Sequence, residues 1–144
     1  MFRKLTETVY ASPQISLADV AEAAASGFAL VINNRPEDEE PGQTTGSAIE
    51  AAARAAGMGY VAIPVTHAGF SETQVAAMGV ALAQAQGGKV LAYCRSGTRS
   101  TLLWSLAEAA RGESPDELAA CAAGAGYDLS PIRALIDMLA AGAK

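Results

Sequence analysis

Cys94-Arg95-Ser96-Gly97-Thr98-Arg99-Ser100 decides how this chain is read. Before it stands Lys89-Val90-Leu91-Ala92-Tyr93, an apolar run of strand length. After it stands Thr101–Ala110, whose composition predicts a helix. A cysteine at the end of a strand, a turn of small residues and an arginine opening a helix together form an anion cradle. Backbone N–H groups of the turn and of the helix N-terminus converge on one spot and give it partial positive charge. A thiol there is drawn toward thiolate by the helix N-terminus and the guanidinium. The competing reading is a buried cysteine closing a strand beside a surface arginine.

Working outward, strands and helices alternate. Val9-Tyr10-Ala11 reads as a first strand, ended by Ser12-Pro13-Gln14. Ser16 caps a helix over Leu17–Ala25, with Asp19 in its first turn and Gly27 ending it. Phe28–Ile32 is continuously apolar, as a fully buried strand is. Asn33-Asn34-Arg35-Pro36 closes it, and the acidic run Glu37–Gln43 reads as a solvated loop. Ser47 and Glu50 have capping-box spacing for a helix over Ala48–Ala56. Tyr60–Val65 is the next strand, with Pro64 marking its end or an irregularity. Ser71 and Gln74 cap a helix over Glu72–Ala85, with Val75, Met78, Val80 and Leu82 as core candidates. Past the cradle helix, Ser114-Pro115 opens a helix over Glu117–Ala123, and Ser130-Pro131 opens the last, carrying Ile132, Leu135, Ile136 and Leu139. The pattern predicts one α/β domain over residues 1–144 with a mainly parallel sheet flanked by helices.

Composition narrows the function. Of 144 residues, 51% are hydrophobic and 17% charged, as in a compact globular protein. Ten Lys and Arg against 15 Asp and Glu give a net charge of −5, which argues against nucleic acid or an anionic membrane as partner. The N-terminal residues carry no apolar segment of signal-peptide type, and two cysteines suit a reducing compartment, so a cytoplasmic location is expected. One histidine and no Cys/His spacing give no metal site, and no cofactor is implied. Cys121 and Trp104 read as core, and the aromatic residues form no stacking platform for bases. Oligomeric state is not written in the sequence.

A parallel sheet collects the loops after its strands on one edge. That edge holds Arg35, an accessory anion-contact candidate, His67 and the cradle. His67 is either a member of the site or an exposed loop residue. The residues imply a mechanism. Cys94 attacks as a thiolate. The N–H groups of Arg95, Ser96, Gly97, Thr98 and Arg99 hold an oxyanion such as phosphate or sulfate. Arg99 adds a charge-assisted pair of hydrogen bonds. Ser100 hydrogen-bonds the sulfur, and Gly97 permits the tight turn.

Val9–Gln14, Gly27–Pro36, Ile63-Pro64-Val65 and Val90–Ser100 follow, in order, the landmarks of dual-specificity-type protein phosphatases. The chain resembles most the bacterial phosphatase-like domain that also occurs fused to beta-lactamase-like hydrolases. The resemblance implies a cysteine-phosphatase fold, Cys94 as nucleophile and Arg99 as phosphate binder. Two features depart from it. Such phosphatases place five residues between nucleophile and arginine; here there are four, Arg95 to Thr98, as in the loop of rhodanese sulfurtransferases. They also carry an aspartic general acid after the third major strand, where this chain has Thr66-His67-Ala68-Gly69-Phe70. A general acid contributes about 10²–10⁴-fold. Three functions therefore stand, with the first in front: hydrolysis of a small-molecule or phosphoprotein phosphate monoester through phosphocysteine; sulfur transfer from a persulfide donor to a thiol acceptor; and oxyanion binding without catalysis.

Overall fold

Each apolar run and each cap nucleates an element, and the chain folds as their alternation demands. The computed structural model describes residues 2–143. Strands are β1 (Arg3–Lys4), β2 (Val9–Ser12), β3 (Phe28–Asn33), β4 (Gly59–Ala62) and β5 (Lys89–Tyr93). Helices are α1 (Leu17–Ala25), α2 (Gly46–Ala55), α3 (Glu72–Gln84), α4 (Thr98–Ala110), α5 (Pro115–Gly124) and α6 (Arg133–Gly142), the last entered through a 3-10 turn at Ser130–Ile132. The sheet order is β1-β2-β5-β3-β4, and only β1 runs antiparallel to its neighbour. This is the mixed α/β domain with a mostly parallel sheet that the alternation predicts.

The two faces of the sheet bury different residues because side chains alternate along a strand. On one face Leu91 and Tyr93 of β5 pack with Val31, Ile15, Val20 and Ile49 beneath α1 and α2. On the other, Val90 and Ala92 pack with Leu30, Ile32, Met78, Leu103, Trp104 and Ile136 beneath α3, α4 and α6. Phe28 shares its face with Val31, three residues on, because the β3–β5 register shifts between Phe28 and Leu30. Helix α4 is buried almost all round, from Ser100 to Ala109, between the sheet and the α3 and α6 helices. An apolar circumference of that kind belongs to a central helix.

Boundaries and core positions depart from expectation: the strand expected over Tyr60–Val65 is β4, Gly59–Ala62, and Ile63-Pro64-Val65 lies past its end. Thr45, not Ser47, caps α2: its hydroxyl accepts the Ala48 N–H at 3.2 Å, and Glu50 pairs instead with Arg54. Val80 lies 59% exposed, and Ala81 takes the core position beside Met78. Helix α4 begins at Thr98, inside the cradle, so the turn is shorter than expected. The two-residue β1 carries no apolar pattern, and its pairing with β2 alone makes it a strand.

Candidate active site

Strand β5 is central, and the loops that converge on its C-terminal end come from both halves of the sheet. Hydrogen bonds beyond the strands hold these loops together. The Cys94 N–H donates to Ser12 O at 3.3 Å, the Asn34 N–H to Tyr93 O at 2.8 Å, and the Gln14 N–H to Arg95 O at 3.3 Å. Cys94 is fully buried at the floor of the cradle. Gly97 sits at φ 92° as the N-cap of α4, and its N–H donates to Cys94 Sγ at 3.1 Å. The Thr98 N–H turns to the Ser96 hydroxyl at 3.3 Å. Among the described residues, the N–H groups of Arg95 and Ser96 donate to no protein group.

The acidic run is not a free loop. Glu39 reaches the Arg99 guanidinium with both oxygens, Oε2 to Nη1 at 2.7 Å and Oε1 to Nη2 at 2.8 Å. The second Nη1 hydrogen goes to Val65 O at 2.6 Å. This fork fixes three of the five guanidinium hydrogens and leaves the Nε hydrogen and one on Nη2, with Arg99 close enough to Cys94 to interact with it electrostatically. Arg99 alone would have many rotamers; held this way it is preorganised. The hydrogen bond from Arg99, helped by Arg35, holds the Glu39 carboxyl down to about 2 despite partial burial.

Arg35 is a structural residue of this network and not an accessory anion contact. Its side chain is 1% exposed, and three of its five N–H hydrogens go to Glu39 Oε1 (2.9 Å), Glu40 Oε1 (2.8 Å) and Gln14 Oε1 (3.0 Å). Burial opposes its charge, and the two glutamates outweigh that cost. Ser100 likewise departs from expectation. Its one hydroxyl proton goes to Asn34 Oδ1 at 2.7 Å, so it does not reach the sulfur. Asn34, fully buried, donates in turn to Ile63 O at 2.9 Å and so ties the segments after β3 and β4 to α4.

A cleft of about 330 Å³ opens over the cradle, lined by Thr66, His67, Phe70, Arg95, Ser96 and Arg99 among others. His67 is exposed and lies on the same rim as the cradle. Arg95 is 60% exposed, with Glu40 at 3.7 Å as a loose partner. No carboxylate lines this cleft among the described residues.

Three participants escaped the sequence reading: Glu39, Asn34 and Tyr127. The signal for Glu39 was present in principle, because two arginines on one rim of a net-acidic chain require counter-charges. Tyr127, past α5, donates its hydroxyl to Ser96 O at 3.0 Å. No local pattern announces that contact.

A strand-ending cysteine under a helix N-terminus, with an arginine five positions on, invites comparison with known families. The family described as "Beta-lactamase hydrolase-like protein, phosphatase-like domain" matches residues 1–111. The chain belongs to this family. A beta-lactamase hydrolase-like protein of Agrobacterium fabrum is 38% identical over 109 residues, which cover 76% of this chain and 25% of that protein. The chain thus spans about a quarter of the length of that relative. Among solved structures, a candidate phosphatase of Neisseria meningitidis superposes with a TM-score of 0.78 at 36% identity, covering 95% of this chain and 96% of its own. A kinase-associated phosphatase whose catalytic-site cysteine is replaced by serine shares the fold, with a TM-score of 0.73 at 15% identity, covering 97% and 94%. The fold is that of the protein tyrosine and dual-specificity phosphatases, and the chain is phosphatase-like. Among the described residues no helix is long and apolar enough to cross a membrane.

Proposed function

We propose that the chain hydrolyses phosphate monoesters through a phosphocysteine on Cys94. The observation that carries this reading is the Glu39-clamped Arg99, held near Cys94 with its Nε hydrogen and one Nη2 hydrogen unspent. Those hydrogens and the free N–H groups of Arg95 and Ser96 suit three oxygens of a phosphoryl group. In the first step the Cys94 sulfur bonds to phosphorus as the ester P–O bond breaks, and the leaving oxygen takes a proton. In the second, water attacks phosphorus, the S–P bond breaks, and inorganic phosphate leaves with the thiolate restored. Among the groups lining the cleft His67 carries the imidazole, the side chain most used for general acid–base work, so we assign it the proton transfers. The family membership and the solved relatives support a phosphatase. The presence of a catalytic cysteine in the kinase-associated phosphatase supports the role of Cys94.

Cys94→Ser is expected to abolish release of phosphate from an aryl phosphate, by about 10⁴-fold or more, with the fold intact by circular dichroism. Retained turnover would overturn the reading. His67→Ala is expected to cost about 10²-fold in kcat on an aryl phosphate. An unchanged kcat would take His67 out of the mechanism.

A second reading, sulfur transfer through a Cys94 persulfide, is favoured by the four-residue spacing and by a cleft without a carboxylate acid. A sulfane sulfur passing to a thiolate needs less leaving-group protonation. Thiocyanate formed from thiosulfate and cyanide, with no phosphate released from an aryl phosphate, would put this reading first. Binding of sulfate with neither activity would reduce the site to an anion-binding module.

A further inference from the structure

The cradle's N–H groups can serve an anion only while their peptides face inward. The peptide at risk is the one joining Ser96 to Gly97. Its N–H donates to Cys94 Sγ at 3.1 Å, while its C=O points the opposite way, as a trans peptide requires. Gly97 lacks a Cβ and sits at φ 92°, so little in its own backbone resists rotation of that peptide. A rotated peptide would aim a carbonyl oxygen at the sulfur and at any bound anion, and would repel both. One group on the outer side meets the carbonyl: the Tyr127 hydroxyl, which donates to Ser96 O at 3.0 Å.

We propose that Tyr127 is a positioning residue whose hydroxyl locks the Ser96–Gly97 peptide with its N–H turned into the cradle. The assignment rests on the reading of that cradle as an oxyanion site. Several observations support a built lock. The Tyr127 side chain is anchored from its other side: the Arg3 guanidinium stacks over its ring, 5.2 Å from the centroid, while Arg3 Nη1 donates to Ala125 O at 3.1 Å. Burial pushes its phenol up, so the hydroxyl keeps the proton it donates. The fit is close enough that a Cβ on Gly97 would overlap the Tyr127 hydroxyl. Donation to a carbonyl also polarises the N–H of the same peptide, which strengthens its bond to the sulfur. The lock comes from residues past 111, beyond the part of the chain that the family description covers.

Tyr127→Phe removes the hydroxyl and keeps the ring. Its first readout is hydrogen exchange of the Gly97 amide by NMR, expected to quicken about tenfold relative to neighbouring α4 amides. Its second is the affinity for inorganic phosphate, measured by protection of Cys94 from iodoacetamide and expected to weaken fivefold to tenfold. Its third is kcat on an aryl phosphate, expected to fall about tenfold with KM changed less. Leu129→Ala, which loosens the same segment without touching the hydroxyl, is expected to lower Tm and leave phosphate affinity within twofold. Wild-type Gly97 exchange in Tyr127→Phe would overturn the lock, as would an equal loss of phosphate affinity in Leu129→Ala. A wild-type protein that binds phosphate without hydrolysing esters would overturn the phosphatase reading and leave the lock standing. The Gly97 exchange decides the lock even if no phosphate binds.

Discussion

At the scale of single residues, the site depends on where each donor is spent. Arg99 has five N–H hydrogens, and three are fixed by Glu39 and Val65. The remaining two, on Nε and Nη2, are the ones the proposed oxyanion contact would use. Arg35, equally basic and on the same rim, also fixes three hydrogens, on Glu39, Gln14 and Glu40, but its side chain is 1% exposed against 12% for Arg99, so burial closes it to a ligand. Residue type and strand-end position therefore cannot rank two arginines; burial does. Gly97 makes the same point with geometry. It needs positive φ, and a Cβ there would also strike Tyr127 and approach Ser12 C to 3.2 Å. Gly27 needs positive φ too, 84°, but has open space around it. Gly97→Ala is expected to lower the unfolding free energy by roughly 2–4 kcal/mol in urea titration. Gly27→Ala is expected to cost about 1 kcal/mol. Equal costs would show that the contact with Tyr127 is slack.

At the scale of elements, local chemistry was mostly legible. Ser16 with Asp19 and Ser71 with Gln74 form both hydrogen bonds of their capping boxes, and the helices they start are where the spacing puts them. Helix α2 went astray because two hydroxyl residues compete two positions apart. Once the chain turns helical at Gly46, the Thr45 hydroxyl meets the Ala48 N–H, and Glu50 lies four residues before Arg54 on an exposed face. Thr45→Ala is expected to cost about 1 kcal/mol and Ser47→Ala a few tenths, measured by thermal unfolding. The reverse order would return the cap to Ser47. What was not legible shares one cause. Glu39 meets Arg99 across 60 residues, and Tyr127 meets Ser96 across 31. Neither pairing leaves a periodicity or a cap for a local reading to find. The cysteine, the glycine and the arginine of the cradle were legible because strand, turn and helix follow one another without a gap.

At the scale of the whole molecule, a net-acidic chain concentrates cationic charge where the chemistry sits, and then neutralises most of it internally. Arg35, Arg95 and Arg99 pair with Glu39 and Glu40, three cations sharing two carboxylates in one network. This network spans the loop after β3, the loop after β4 and the start of α4, so it couples the site to the stability of the fold. The coupling has a definite pH dependence. The Glu39 carboxyl falls from 4.5 unfolded to about 2 folded, chiefly through its hydrogen bond to Arg99. Between those values the unfolded chain binds the proton and the native protein does not, so stability falls as pH falls. The contribution is complete above about pH 4.5 and is lost as pH drops toward 2. Its size is roughly 3 kcal/mol. Glu39→Gln should therefore lose stability at pH 7, where it strands the buried Arg35 on Glu40 and Gln14, and should flatten the decline between pH 4.5 and 2. The same variant frees Arg99 to leave its clamped pose, so kcat on an aryl phosphate should fall by about 10²-fold. Parallel pH–stability curves for the two proteins would mean that Glu39 is not the group whose protonation loosens the fold.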